Sequence, residues 1–313
     1  MKLDLEGKSV LITGASKGIG LATAHAFARE GCTLHLAARS STLLEQAAQS
    51  LRRDHGVRVS IHVVDLSHSE NVVALARECS TADILINNAG EVPSGPIEAL
   101  TEADWRRGYD LKLFGYIGLS REMYAHMKAR RSGVIVNDIG NSGENWDYNY
   151  IAGTTGNAAL MAFTRALGGV SLDYGVRVVG VNPGPVRTER MEKINRRRSL
   201  DLYGDESRWM ELCSSFPGGR PAEADEVANL IAFLASPRAG YISGTVVTID
   251  GGLASRGSVI KLRAGADAWA RGQEPLLRRV VREPEPDVAR AEHESLPDPS
   301  RRRRRDDGID PRG

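Results

Sequence analysis

An α/β fold built on a doubly wound parallel sheet is predicted for this 313-residue chain by three observations. Short β-branched runs alternate with longer segments of helical spacing. The runs are almost continuously Val, Ile and Leu, as expected of strands covered on both faces. A glycine-rich loop joins the first run to the first helical segment, where such sheets hold anionic ligands. Hydrophobic residues at 41% and charged residues at 26% are ordinary for a globular protein and exclude a disordered or fibrous chain.

The expected strands are Ser9–Ile12, Thr33–Ala37, Val57–Val64, Ile84–Asn87, Val134–Asp138, Arg177–Val181 and Thr245–Ile249. Apolar spacing near 3.6 predicts helices over Thr42–His55, Glu70–Cys79, Thr101–Arg130 and Thr155–Asp173. Gly153 and Gly156 argue against an earlier start for the last of these. Composition changes near residue 256, so residues 1–256 are read as one domain. The 257–313 tail is rich in Arg and Pro, with Arg301 to Arg305 in a row. It is expected to be largely disordered, with at most one loose helix over 257–282, because it has too little apolar surface to offset chain entropy.

Lys and Arg number 41 against 40 acids, a net charge of +1. That balance gives the core no field for nucleic acid, although the arginine run of the tail could bind anions. Cys32, Cys79 and Cys213 are odd in number and widely spaced. They form neither a disulfide framework nor a spaced metal-ligand motif, so no metal and a reducing compartment are expected. No apolar run reaches the ~18 residues that cross a bilayer. A soluble, cytoplasmic protein with no membrane contact is expected.

The first strand leads into Thr13-Gly14-Ala15-Ser16-Lys17-Gly18-Ile19-Gly20, which opens a helix. Glycines there let the backbone turn and approach a diphosphate at the helix N-terminus. Together with Asn87-Asn88-Ala89-Gly90 and Asn182-Pro183-Gly184-Pro185, this loop resembles the motifs of the short-chain dehydrogenase/reductase family over about residues 5–254. The resemblance implies a Rossmann-type seven-stranded parallel sheet with helices on both faces and a nicotinamide cofactor. It places the cofactor on Gly14, Ser16, Lys17, Gly18, Ile19, Gly20, Asp65, Leu66, Asn88, Ala89, Gly90, Pro183, Gly184, Val186 and Thr188. The other reading of Asn87 and Asn88 is that they only cap the loop that follows them.

Charge points to NADP(H) over NAD(H). An acid at the end of the second strand would accept the ribose 2′-hydroxyl and repel a 2′-phosphate. Ala38 stands there, followed by Arg39, while Lys17 lies in the loop, so two cations face the phosphate position.

The resemblance also implies an Asn-Ser-Tyr-Lys tetrad that protonates the substrate oxygen as hydride arrives. Gapless alignment puts Lys112, Gly140, Gly153 and Asn157 at those four positions, so all four are substituted. Lys112, Ser142 and Tyr150 are the candidate replacements, with Tyr148 or Tyr150 as acid and Lys112 as its activating cation. The other reading has the aromatic residues of 141–150 packing a pocket or a subunit contact. Glu144 and Asp147 could form an acid/base pair or be solvated loop charges. Asp138 could hold a cationic substrate group, but bonding to neighbouring backbone amides is the favoured role.

Three functions remain open from the sequence. The first is an NADP(H)-dependent oxidoreductase with an altered acid/base set, suited to an iminium or activated alkene. The second is an inactive NADP(H)-binding relative acting as sensor or assembly partner. The third is a lyase or isomerase using Glu144 or Asp147. The resemblance implies that Arg187–Pro217 forms a mobile substrate lid, and its apolar residues, among them Met191, Ile194, Leu200 and Trp209, point to a small, partly apolar substrate. The resemblance implies a homodimer or homotetramer through Thr101–Arg130, the active-site helix and Gly251-Gly252-Leu253.

Overall fold

The computed structural model describes residues 2–256. The expectations for 257–313 lie outside the described residues. In chain order the elements are β1 (Ser9–Thr13), α1 (Gly18–Arg29), β2 (Thr33–Ala38), α2 (Ser41–His55), β3 (Val59–Val63), α3 (Ser69–Glu78) and β4 (Ile84–Asn87). There follow α4 (Glu102–Tyr109), α5 (Gly115–Arg130), β5 (Gly133–Asp138), α6 (Ile151–Ser171) and β6 (Val176–Pro183). The described chain ends with β7 (Val186–Arg187), α7 (Glu189–Tyr203), β8 (Ala222–Glu223), α8 (Ala224–Ala235) and β9 (Val246–Ile249).

Seven strands form one sheet in the order β3-β2-β1-β4-β5-β6-β9, every pair parallel. All seven expected strands are present. Strand order reverses between β1 and β4, which opens a crevice at their C-terminal ends. Side chains alternate across the sheet. Val10, Ile12, Val136 and Val179 pack with Phe27 and Ile231 on one face. Leu11, Leu85, Ile135 and Val178 pack with Leu119, Met123 and Met127 on the other. The short pair β7–β8 ties the entry of α7 to the start of α8.

Two helices differ from the sequence reading. Thr101–Arg130 is not one regular helix: a π turn over Asp110–Phe114 separates α4 from α5. Its extra residue per turn rotates Lys112 out of the regular helical register. The last long helix starts at Ile151, so Gly153 and Gly156 lie inside it. Packing outweighs their ~1 kcal/mol propensity cost. A Cβ on Gly153 would collide with the ring of Tyr150, and one on Gly156 would press on Tyr109 at 3.3 Å.

Two buried polar features hold the layers together. Asn87 donates to Asn137 Oδ1 and Ser120 Oγ, each at 2.9 Å. Asn137 in turn donates to Thr164 Oγ1 at 2.9 Å, joining β4, β5, α5 and α6. Arg177 is 6% exposed and points from β6 at the C-terminus of α8. Its guanidinium donates to the carbonyls of Leu234, Ala235, Ser236 and Ile242. A cation there satisfies the orphan carbonyls and complements the helix dipole. Arg177→Met is therefore expected to destabilise the fold by about 3 kcal/mol, since charged hydrogen bonds are lost and the carbonyls stay buried. Urea denaturation of the two proteins side by side measures it.

Candidate active site

The floor of the crevice is set by Thr13 at the end of β1. Its hydroxyl donates to Ile86 O at 3.3 Å and accepts the N–H groups of Asn88 and Ala89 at 2.9 and 3.0 Å. Asn88 Nδ2 donates to Thr13 O at 2.8 Å and Gly14 O at 3.2 Å. The Asn88 side chain thus shapes the loop. A Cβ on Gly14 would lie 2.7 Å from Asn88 Nδ2, and one on Gly20 would lie 2.5 Å from it. Gly14 and Gly18 also take left-handed φ of +65° and +58°. Helix α1 then begins at Gly18 with no side-chain cap and no acid in its first turn. The N–H groups of its first turn stay available to an anion. Thr188, the N-cap of α7, faces this loop across Gly18.

A cleft of about 300 Å³ lies beside the loop, lined by Ser16, Lys17, Gly18 and residues of α2, with Glu189 at its rim. Lys17 makes no ion pair among the described residues. Arg39 pairs with Glu91 at 3.3 Å, both more than half exposed. Asp65 accepts the N–H and hydroxyl of Ser67, which closes the turn after β3. Leu66 is buried beneath α5, its carbonyl close to Gly115. Pro183 ends β6, Gly184 follows it pressed against Asp250, and Val186 is buried in β7.

Between the end of β5 and the start of α6, side chains fill the space that two glycines leave. Asn157 Nδ2 would lie 2.9 Å from a Cβ on Gly140, and it donates to Ser142 Oγ at 2.7 Å. Asn157 Oδ1 is buried and has no partner among the described residues. The Tyr150 ring occupies the space above Gly153. Tyr150 is the N-cap residue of α6, and backbone pairing of its neighbourhood with Gly95 holds it there. Burial raises its pKa, and the charge of Arg190 opposes that shift.

Lys112 differs from expectation. Its stem lies on Gly90, where a Cβ would meet its Cδ at 2.7 Å, and its Nζ donates to Ile139 O at 2.6 Å. Burial lowers its pKa, Asp138 opposes and Arg190 adds to the lowering. Arg190, at the start of α7, is the charge that opposes the rise of the Tyr150 pKa, while Lys112 Nζ is held by Ile139 O. Asp138 is also corrected: among the described residues its carboxylate accepts no hydrogen bond, and only its carbonyl is used, by Tyr116 Oη at 2.9 Å. Burial raises the Asp138 pKa to about 6 against the opposing charge of Lys112.

The rest of the 141–150 loop turns away. Tyr148 is 57% exposed and donates to Glu98 at 2.7 Å, so it is not an acid of this site. Glu144 accepts from Thr248 Oγ1 at 2.9 Å and pairs with Arg165, and Asp147 accepts the N–H of Asn149. These bonds leave both carboxylates structural. Trp146 is 82% exposed. Sequence reasoning missed Arg190 and Tyr116. Tyr116 stands four residues after Lys112, a spacing that could have flagged it, whereas no local pattern marks Arg190.

Comparison with known proteins agrees with this architecture. A family model described as short chain dehydrogenase matches residues 8–199. The galactitol 2-dehydrogenase (L-tagatose-forming) of Cereibacter sphaeroides is 33% identical over 250 residues, covering 79% of this chain and 95% of that protein. The L-sorbose reductase of Gluconobacter frateurii, solved with NADPH and L-sorbose, is 32% identical with a TM-score of 0.77, covering 80% of this chain and 98% of the other. An NAD⁺-bound xylitol dehydrogenase is 26% identical with a TM-score of 0.72, over 80% of this chain and 100% of the other. The chain belongs to the short-chain dehydrogenase family, a family of oxidoreductases.

Asp138 makes the site sensitive to pH. Its folded pKa of about 6 lies above the ordinary 3.8, so the folded chain binds the extra proton between those values. Its contribution to stability is full below about pH 4 and is lost as pH rises through about 6. Asp138→Asn is expected to remove that fall, changing the difference in unfolding free energy between about pH 4 and about pH 7 by up to ~3 kcal/mol. Urea titrations of both proteins at the two pH values test it.

Proposed function

We propose that this chain is an NADP(H)-dependent oxidoreductase that reduces a small, partly apolar carbonyl compound, with Tyr150 as proton donor in place of the substituted tetrad tyrosine. The observation that carries this reading is the seating of the Tyr150 ring in the space left by Gly153. A decaying site would accumulate unrelated losses. Here Gly153 is matched to Tyr150 and Gly140 to Asn157, so two of the four substitutions are filled by neighbouring side chains.

The residues fit a dinucleotide. The uncapped start of α1 would take the diphosphate, and Thr188 faces it from α7. Asn157 Oδ1 is a buried acceptor without a partner, suited to a ribose hydroxyl. Neutral Ala38, Arg39 and Lys17, which has no ion pair among the described residues, favour a 2′-phosphate. The exposed Arg39–Glu91 pair is weak enough in water for that phosphate to displace it.

When bound, the cofactor supplies a hydride. Tyr150 gives its phenolic proton to the substrate oxygen, and Arg190 offsets the negative charge left behind. Ser142 accepts from Asn157, so its own hydrogen remains free to bond the same oxygen. With a phenol in place, carbonyl reduction stands beside reduction of an iminium or activated alkene. The sugar substrates in the names of two relatives put ketoses and polyols into the screening panel. As implied by the family, the working unit is a homodimer or homotetramer through α5 and α6.

A second reading, an NADP(H)-binding protein without turnover, is favoured by one fact: Lys112 Nζ is already spent on Ile139 O. Tyr150→Phe separates the two. It keeps the ring over Gly153, so NADPH affinity should stay within about two-fold while kcat falls at least ~100-fold. Turnover unchanged in Tyr150→Phe removes the phenol from the mechanism. NADPH binding with no reduction across the panel selects the second reading. Arg39→Ala should weaken NADPH binding about ten-fold (~1.4 kcal/mol) and leave NADH binding unchanged, read by calorimetry.

A further inference from the structure

Away from the crevice, the outer edge of the sheet carries a cluster that hydride chemistry does not use. His35 on β2, His62 on β3 and Cys79 at the end of α3 bring one ligand-type atom each to within 4.8 Å of one another. His35 Nδ1 and His62 Nε2 are 3.1 Å apart, and Cys79 Sγ is 3.6 Å from the same Nε2. His62 Nδ1 is 3.0 Å from the Glu78 carboxylate. Sequence analysis expected no metal from the odd number and wide spacing of the three cysteines; His35 and Cys79 lie 27 and 17 positions from His62, on three different elements.

The hydrogen-bond arithmetic of this cluster is unbalanced. Ionised Glu78 can only accept, so His62 Nδ1 carries a proton; with that one proton the ring offers a single lone pair, on Nε2. Both the Cys79 thiol and His35 Nδ1 converge on that one lone pair. One cation would resolve the conflict by accepting electron pairs from all three atoms. Zinc–nitrogen bonds of ~2.05 Å and a zinc–sulfur bond of ~2.3 Å in a tetrahedron place ligand atoms about 3.3 Å (N to N) and about 3.6 Å (N to S) apart. The two short separations match those distances. The carboxylate on the far nitrogen of His62 is the usual support for a metal-bound imidazole.

We propose that His35 Nδ1, His62 Nε2 and Cys79 Sγ form a binding site for a divalent zinc-type cation, oriented by Glu78. Two imidazoles and a thiolate select zinc-like metals over magnesium or calcium. Water completes the four ligands. Binding releases the thiol proton to solvent, so affinity falls as pH falls. The ion pins edge strand β3 to β2 and α3, which is a structural role independent of the crevice. His62 is 13% exposed and Glu78 64%, which gives the ion a way in.

The test is a cobalt(II) titration of the metal-stripped full chain, followed by zinc competition. One equivalent is expected, with a near-ultraviolet thiolate-to-cobalt absorption band that zinc abolishes. Cys79→Ser should remove the band. Because Cys79 is buried, the surface variant Glu78→Gln provides the second arm: it should keep the fold by circular dichroism and bind the metal about 10–100-fold more weakly. Absence of the band in the native chain, or affinity unchanged in both variants, overturns the proposal.

Discussion

The crevice depends on one junction, the tie between the C-terminal ends of β1 and β4. Thr13 presents a single hydroxyl to three backbone groups of β4 and the loop after it, and Asn88 returns two bonds to the β1 loop. The strands are not consecutive in sequence, so nothing local holds these ends together. The tie brings the backbones so close that only glycine fits at positions 14 and 20. That closeness sets the entry of α1 and leaves its first N–H groups free for an anion.

The chemistry of the crevice rests on a different constraint, the filling of space. A glycine inside a helix or beside a strand leaves a gap, and protein interiors are too densely packed to keep one. At Gly140 and Gly153 the gap is taken by polar side chains, an amide and a phenol, both at the site end of α6. An apolar filler would have served packing equally well. The polar fillers keep hydrogen-bonding groups at this end of α6, with Asn157 Oδ1 unpartnered among the described residues. Lys112 and Asp138 form a second pair of charged groups in the site, Lys112 held by the carbonyl of Ile139 and Asp138 buried with a raised pKa.

Edge strands are where sheets are least constrained, and β3 is the edge here. The His35–His62–Cys79 cluster lies on that edge, under α3. Its residues are polar in a position that apolar packing would ordinarily fill, and a shared ion would give them a common purpose without touching the crevice.

The sequence by itself determined the sheet and the glycine-rich loop before α1, and its spacing marked Gly140, Gly153 and Asn157. Those features are written in local signals: continuous apolar runs, glycines before a helix, and fixed spacing along one element. Its charge pattern also marked Lys17 and Arg39. What only the tertiary structure decided is which groups meet. The π turn redirects Lys112 to Ile139, Tyr148 turns to Glu98, and the charge of Arg190, 40 residues further on, opposes the effect of burial on Tyr150. The start of α6 was misread because helix propensity counts a glycine's cost and cannot see the ring that makes the glycine necessary. Side-chain neighbours drawn from different elements carry no sequence periodicity, so the contacts that make the chemistry appear only once the sheet has brought those elements together.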